Sequence, residues 1–93
     1  MRTIKQTAQF KRDLKREAKG KYGTSLETIL LPVITNLVAD KPLAPNFRDH
    51  LLAGNKRNFR ACHLKPDLVL LYQLPDDETL TLVRPGSHAR LNL

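Results

Sequence analysis

Ninety-three residues, 41% of them hydrophobic, suffice for one small domain, expected over 1–93, and are too apolar for a disordered chain. The net charge is +7, and no apolar run approaches the roughly 18–20 residues of a membrane-crossing helix. The lone Cys62 excludes an internal disulfide and a cysteine-based zinc site, and Met1–Gln6 has no apolar signal stretch, so a reducing cytoplasm is expected.

Arg2–Thr7 reads as a first strand. Thr7 then has the side chain to cap a helix from Ala8 to Lys19, with Gly20 as its stop. Phe10, Leu14 and Ala18 recur at helical spacing and line one face. Lys11, Arg12, Lys15, Arg16 and Lys19 occupy the rest. Residues 1–22 hold eight Lys or Arg against two acids, a net of +6, so the charge is concentrated here. Such a patch attracts polyanions in a salt-dependent way, while its apolar stripe is too narrow for a membrane surface.

Thr24 to Glu27 has capping-box spacing and predicts a second helix, striped by Leu26, Leu30, Val33 and Leu37. Pro32 predicts a bend or a restart within it. Asp40–Arg57 shows no period and reads as a long loop carrying Arg48, Asp49 and His50. Strands are expected at Asn58–Leu64, Leu68–Leu74 and Thr79–Arg84, with Pro85-Gly86 ending the last. The fold class is therefore α+β, in the order β-α-α-β-β-β. Two N-terminal helices cover one face of a small, mainly antiparallel sheet, and the other face is free for a site.

All three histidines lie in the second half: His50, His63 and His88. Imidazole exchanges protons near neutrality. Asp67, just after a Pro turn, is placed to meet His63 across a tight hairpin and orient it. Arg60 and Arg84, on strands expected to be neighbours, have the forked geometry that grips a phosphate. His88 follows Gly86, where a missing Cβ lets backbone approach a ligand. Cys62 and Tyr72 read as packing residues. Nothing here forms a nucleotide loop or a carboxylate cluster for a metal, so acid–base chemistry on a phosphodiester, with no metal or cofactor, is expected.

The run Asp49-His50-Leu51-Leu52-x-Gly54, then Phe59-Arg60-x-Cys62-His63-x-x-Pro66-Asp67-Leu68-x-Leu70-x-Tyr72, then Arg84-x-Gly86-Ser87-His88, resembles the YafQ branch of RelE-like bacterial toxins. The resemblance implies a ribosome-dependent mRNA endoribonuclease, the toxic half of a toxin–antitoxin pair. Its catalytic positions carry over onto His50, His63, Asp67 and His88, with His50 or His63 as base, Asp67 orienting or sharing that role, and His88 as acid, or with the acid and base roles exchanged. Arg60 and Arg84 fall where phosphate-facing arginines stand. Two departures are visible: Ala61 where some relatives carry an acid, and a tail, Ala89–Leu93, without the aromatic that relatives often place there. The partners implied are mRNA on the ribosome and an antitoxin with an acidic wrapping segment, either of which suits the basic first helix. The alternative from another class is a non-enzymatic ParE-like gyrase inhibitor, or a nucleic-acid-binding module on the same scaffold.

Overall fold

The computed structural model describes residues 1–93. Strand β1 (Thr3–Gln6) leads into helix α1 (Ala8–Ala18), and helix α2 is Leu26–Val38. After a two-residue strand β2 (His50–Leu51) come β3 (Arg60–Lys65), β4 (Leu68–Gln73) and β5 (Thr79–Gly86), then a one-turn helix α3 (His88–Leu91). The sheet order is β1-β5-β4-β3-β2, with β1 parallel to β5 and every other pair antiparallel. This is the expected α+β architecture, extended by one strand at the β2 edge.

Thr7 caps α1 as expected, its hydroxyl accepting from the Phe10 N–H at 2.9 Å. Its own Oγ1 proton goes to the Val83 carbonyl, so one side chain ties the helix start to β5. The capping box at Thr24 does not form. A 3₁₀ turn at Gly23–Ser25 feeds directly into α2, and Ser25 makes no side-chain cap. Backbone bonds such as Ser25 N–H to the Tyr22 carbonyl already use the donors that a cap would have satisfied.

Pro32 does not restart the helix, and α2 is continuous across it. Both Pro32 and Thr28, whose carbonyl loses its intrahelical donor, lie on the exposed side, where water replaces the bond.

The helices bury Phe10, Leu26, Leu30, Val33 and Leu37 against Cys62, Leu64, Leu68, Leu70, Tyr72, Leu80 and Leu82. Each fully buried leucine contributes about 1.5–3 kcal/mol by leaving water. Strand alternation sends Ala61, Val69 and Leu71 to the opposite face, where Leu91 of α3 covers them in a second, smaller cluster. Both faces of β4 are thus covered, which is why Leu68–Tyr72 is an unbroken apolar run.

Pro85-Gly86 does not end the last strand. β5 continues through both residues, opposite Leu70 and Val69. β1 accompanies β5 only as far as Leu82, so beyond that point one edge of β5 demands no backbone donor and proline is tolerated. The Cα of Gly86 faces α3: a Cβ there would come into contact with the Leu91 side chain at 3.4 Å.

Candidate active site

The second face of the sheet gathers the histidines. His63 projects there by alternation with Ala61, next to a register slip between His63 and Lys65. Bulges of this kind re-aim a neighbouring side chain. His50 enters from β2, paired opposite Ala61. His88 opens α3, whose N-cap is Ser87, with Oγ accepting from the Arg90 N–H at 3.2 Å. The far end of α3 is clasped by Lys56, whose Nζ donates to the carbonyls of Leu91 and Asn92 at 3.2 and 2.7 Å.

The rings form a row. His50 and His63 have centroids 6.4 Å apart at 20°, and His63 and His88 are 5.0 Å apart at 38°. The Nε2 atoms of His63 and His88 share a hydrogen bond of 2.9 Å. Asp67 Oδ1 accepts from His88 Nδ1 at 3.2 Å and from the His88 backbone N–H at 3.4 Å. Asp67 therefore orients His88, not His63. The hairpin turn carries its carboxylate outward, to where α3 packs back on the sheet.

These bonds assign protons. His50 Nδ1 donates to the Arg48 carbonyl at 2.5 Å, so its Nε2 holds the lone pair when the ring is neutral. Burial holds His63 below the ordinary imidazole value, and the nearby His88, Arg48 and His50 act in the same sense, against the Phe47 backbone. The His88 side-chain and backbone bonds hold Asp67 below the usual carboxylate range. A neutral His63 can then accept from His88 Nε2–H, while His88 Nδ1–H donates to an ionised Asp67.

A cavity of about 480 Å³ opens beside this pair, lined by His63, His88, Asn46, Arg48 and Lys65 among others. Arg48 and Lys65 make no ion pair within the chain. Arg48 sits at φ 49°, in the left-handed region that costs a non-glycine residue about 1–2 kcal/mol. That strain turns its carbonyl to His50 and its side chain to the cavity rim. In the sequence its only signal is its place two residues before His50.

The arginines expected to hold phosphate do not line this cavity. Arg60 projects to the helix face, donating to the Tyr72 hydroxyl at 3.2 Å and to Asp49 at 3.4 Å. The Tyr72 hydroxyl, on a ring that is fully buried, also donates to Asp49. Burial, together with its bond to Asp49, pushes the phenol up. Arg84 Nε donates to Asp13 Oδ2 at 2.6 Å, and Asp13 Oδ1 accepts from Arg16 at 2.8 Å and Gln9 at 3.0 Å. Sequence reading missed this because Asp13 lies 71 positions from Arg84, amid lysines. Arg16 is likewise withdrawn from the basic patch, while Lys11, Arg12, Lys15 and Lys19 remain exposed. Cys62 is buried as expected, its thiol pushed up to about 12 by burial and by Asp49.

The family model for YafQ, the bacterial toxin of a type II toxin–antitoxin system, matches residues 2–93. The mRNA interferase toxin YafQ of Escherichia coli strain K12 is 32% identical over 91 residues, 97% of this chain and 95% of that protein. A crystal structure of a metal-bound toxin from Helicobacter pylori is 45% identical, with a TM-score of 0.83 over 98% of this chain and 99% of that one. No three His, Cys, Asp or Glu side chains are gathered here as a metal cage, and the His63–His88 pair falls short of the three or four ligands a resident metal usually takes. In the E. coli DinJ–YafQ toxin–antitoxin complex, the matching chain is 30% identical, with a TM-score of 0.79 over 97% of this chain and 96% of that one. With the family model spanning residues 2–93, this chain belongs to the YafQ family of bacterial toxins.

Proposed function

We infer that this protein is the toxin of a type II toxin–antitoxin pair and that it cleaves mRNA on the ribosome, so arresting translation. The observation that carries the chemistry is the Asp67–His88–His63 hydrogen-bonded row beside His50, whose Nε2 is free, at a cavity rimmed by the unpaired Arg48 and Lys65. RNA supplies its own nucleophile. His50 Nε2 takes the proton of the 2′-hydroxyl, whose oxygen attacks the adjacent phosphorus. His88 Nε2–H, which His63 Nε2 holds in place at 2.9 Å, passes to the departing 5′-oxygen as the P–O5′ bond breaks, and proton exchange with water then resets His50 and His88. Arg48 and Lys65 face the charge that develops on the phosphorane oxygens. They take the part that sequence reading gave to Arg60 and Arg84.

The products are then a 2′,3′-cyclic phosphate and a 5′-hydroxyl. Programmed ribosomes carrying a labelled mRNA test this directly. Fragments with these ends, absent without ribosomes, are expected; a 5′-phosphate would rule out 2′-hydroxyl attack.

The exposed Lys11, Arg12, Lys15 and Lys19 form the surface for ribosomal RNA or for an acidic antitoxin segment. Reversing Lys11, Lys15 and Lys19 to glutamate weakens ribosome association and lowers the slope of log affinity against log salt by about 3 or more. Unchanged association would remove the patch from the interface. The supporting relative is the E. coli toxin held by its antitoxin DinJ. Residues 1–93 act as one toxin domain. No helix is long and apolar enough to cross a membrane, and ribosomal action puts the protein in the bacterial cytoplasm.

A further inference from the structure

A second cavity, of about 220 Å³, adjoins the Asp67–His88 pair, lined by Asp67 and Ser87 where the first is lined by His88. Its walls include Glu17, Lys21, Tyr22, Asp67, Ser87 and Arg90. It is smaller than the about 300–1,000 Å³ of a site for a drug-sized ligand, and so suits one planar base better than a whole nucleotide. The two cavities flank the β3–β4 turn: Lys65 and Pro66 line the first, Asp67 and Leu68 the second. A chain whose scissile phosphate meets His88 in the first cavity has a neighbouring nucleotide within reach of the second.

The chemistry of the wall is specific. Glu17 makes no side-chain hydrogen bond and no ion pair, although Lys21 and Arg90 share its cavity. A free carboxylate is repelled by phosphate, so its use beside a polyanion is to accept N–H donors from a base edge. Tyr22 is half-buried, packs against the main core and supplies an aromatic wall. Lys21 lies 5.6 Å from the centre of that ring, and neither it nor Arg90 has an acidic partner, which leaves both for flanking phosphates.

We propose that this cavity binds the base immediately 3′ of the cut, and that Glu17 selects an amino-bearing base over uracil. The inference rests on the endoribonuclease reading above. His88 protonates the leaving 5′-oxygen, which belongs to the nucleotide 3′ of the cut, and the cavity is walled by Asp67 and Ser87 directly beside His88, which assigns that nucleotide to it. Adenine, cytosine and guanine each offer an amine to a carboxylate. Uracil offers one N–H flanked by two carbonyls, which repel it.

Two measurements test this. The first compares cut frequencies on programmed ribosomes for mRNAs that vary only in the nucleotide 3′ of the cut. Wild type is expected to disfavour uracil there by about tenfold, the worth of one hydrogen bond to a charged group. Glu17→Gln, which both donates and accepts, is expected to flatten that preference. A profile that Glu17→Gln leaves unchanged, or a preference set at another nucleotide, overturns the proposal. The second follows the backbone amide signals of Tyr22 and Ser87 during titration with cytidine 5′-monophosphate and uridine 5′-monophosphate, which requires no cleavage. Larger shifts with the cytidine nucleotide, lost in Glu17→Gln, support the subsite even if the protein cuts nothing, in which case the nuclease reading falls alone. Equal shifts, or none, remove the subsite.

Discussion

Replacing His88 with alanine should lower ribosome-dependent cleavage by about 10²–10⁴-fold, the worth of a general acid, with the fold retained. The side chain of His88 is 39% exposed, and the anchor of α3 is Leu91, which the substitution leaves in place. Its bonds to Asp67 and His63 position a proton and hold little of the core together. Single-turnover cleavage, read beside a thermal melt, checks both halves. Asp67→Asn keeps the shape and removes the charged acceptor of the His88 Nδ1–H bond, so a smaller loss is expected. Cleavage by His88→Ala at the wild-type rate would take the acid's role away from this residue.

Asp13→Ala should be among the more costly single changes to stability, at about 3–5 kcal/mol. The Asp13 side chain is entirely buried and is held by Arg84, Arg16 and Gln9. Its removal leaves two guanidinium groups facing a gap at the junction of α1 and β5. Both arginines keep about a third of their side chains in solvent, which points to the lower end of that range. Burial by itself would raise the Asp13 carboxyl, but Arg84, Gln9 and Arg16 outweigh it and hold it below its ordinary value. A carboxyl so lowered stabilises the fold fully above its unfolded value of about 3.9, and the contribution is lost as pH falls through the lowered folded value. Urea melts of the wild type should therefore weaken below about pH 4. Those of Asp13→Ala should start lower and vary less over that range. A cost under about 1 kcal/mol would mean the two arginines are satisfied by water alone.

Local chemistry made much of this fold legible. The Thr7 cap, the helical stripes and the β3–β4 hairpin each rest on residues within a few positions of one another, so period and turn chemistry suffice. The failures share a physical cause. β2 is two residues long and has no period to read; it exists because His50 and Leu51 find Ala61 and Arg60. Pro85 reads as a strand end until the neighbouring strand is known to stop at Leu82. Asp67 meets His88 only because α3 folds back onto the second face. Arg84 and Arg60 looked like free cations because their carboxylates, Asp13 and Asp49, are distant in sequence or belong to a loop. Resemblance to the family pointed to the histidines and Asp67, while the cations at their cavity, Arg48 and Lys65, emerged from geometry.

The parallel pairing of β1 with β5 has a consequence for when the protein becomes active. Thr7, at the start of α1, is bonded across 76 positions to Val83, and β1 has no strand neighbour except β5. Contacts this distant in sequence form late and slowly. His88 follows β5 directly, and its helix closes on β3 and β4 from the other face. A chain still being synthesised, with β5 not yet emerged, has an unpaired first strand, an unsealed core and no His88. The row of histidines is therefore complete only once the last strand has docked beside the first.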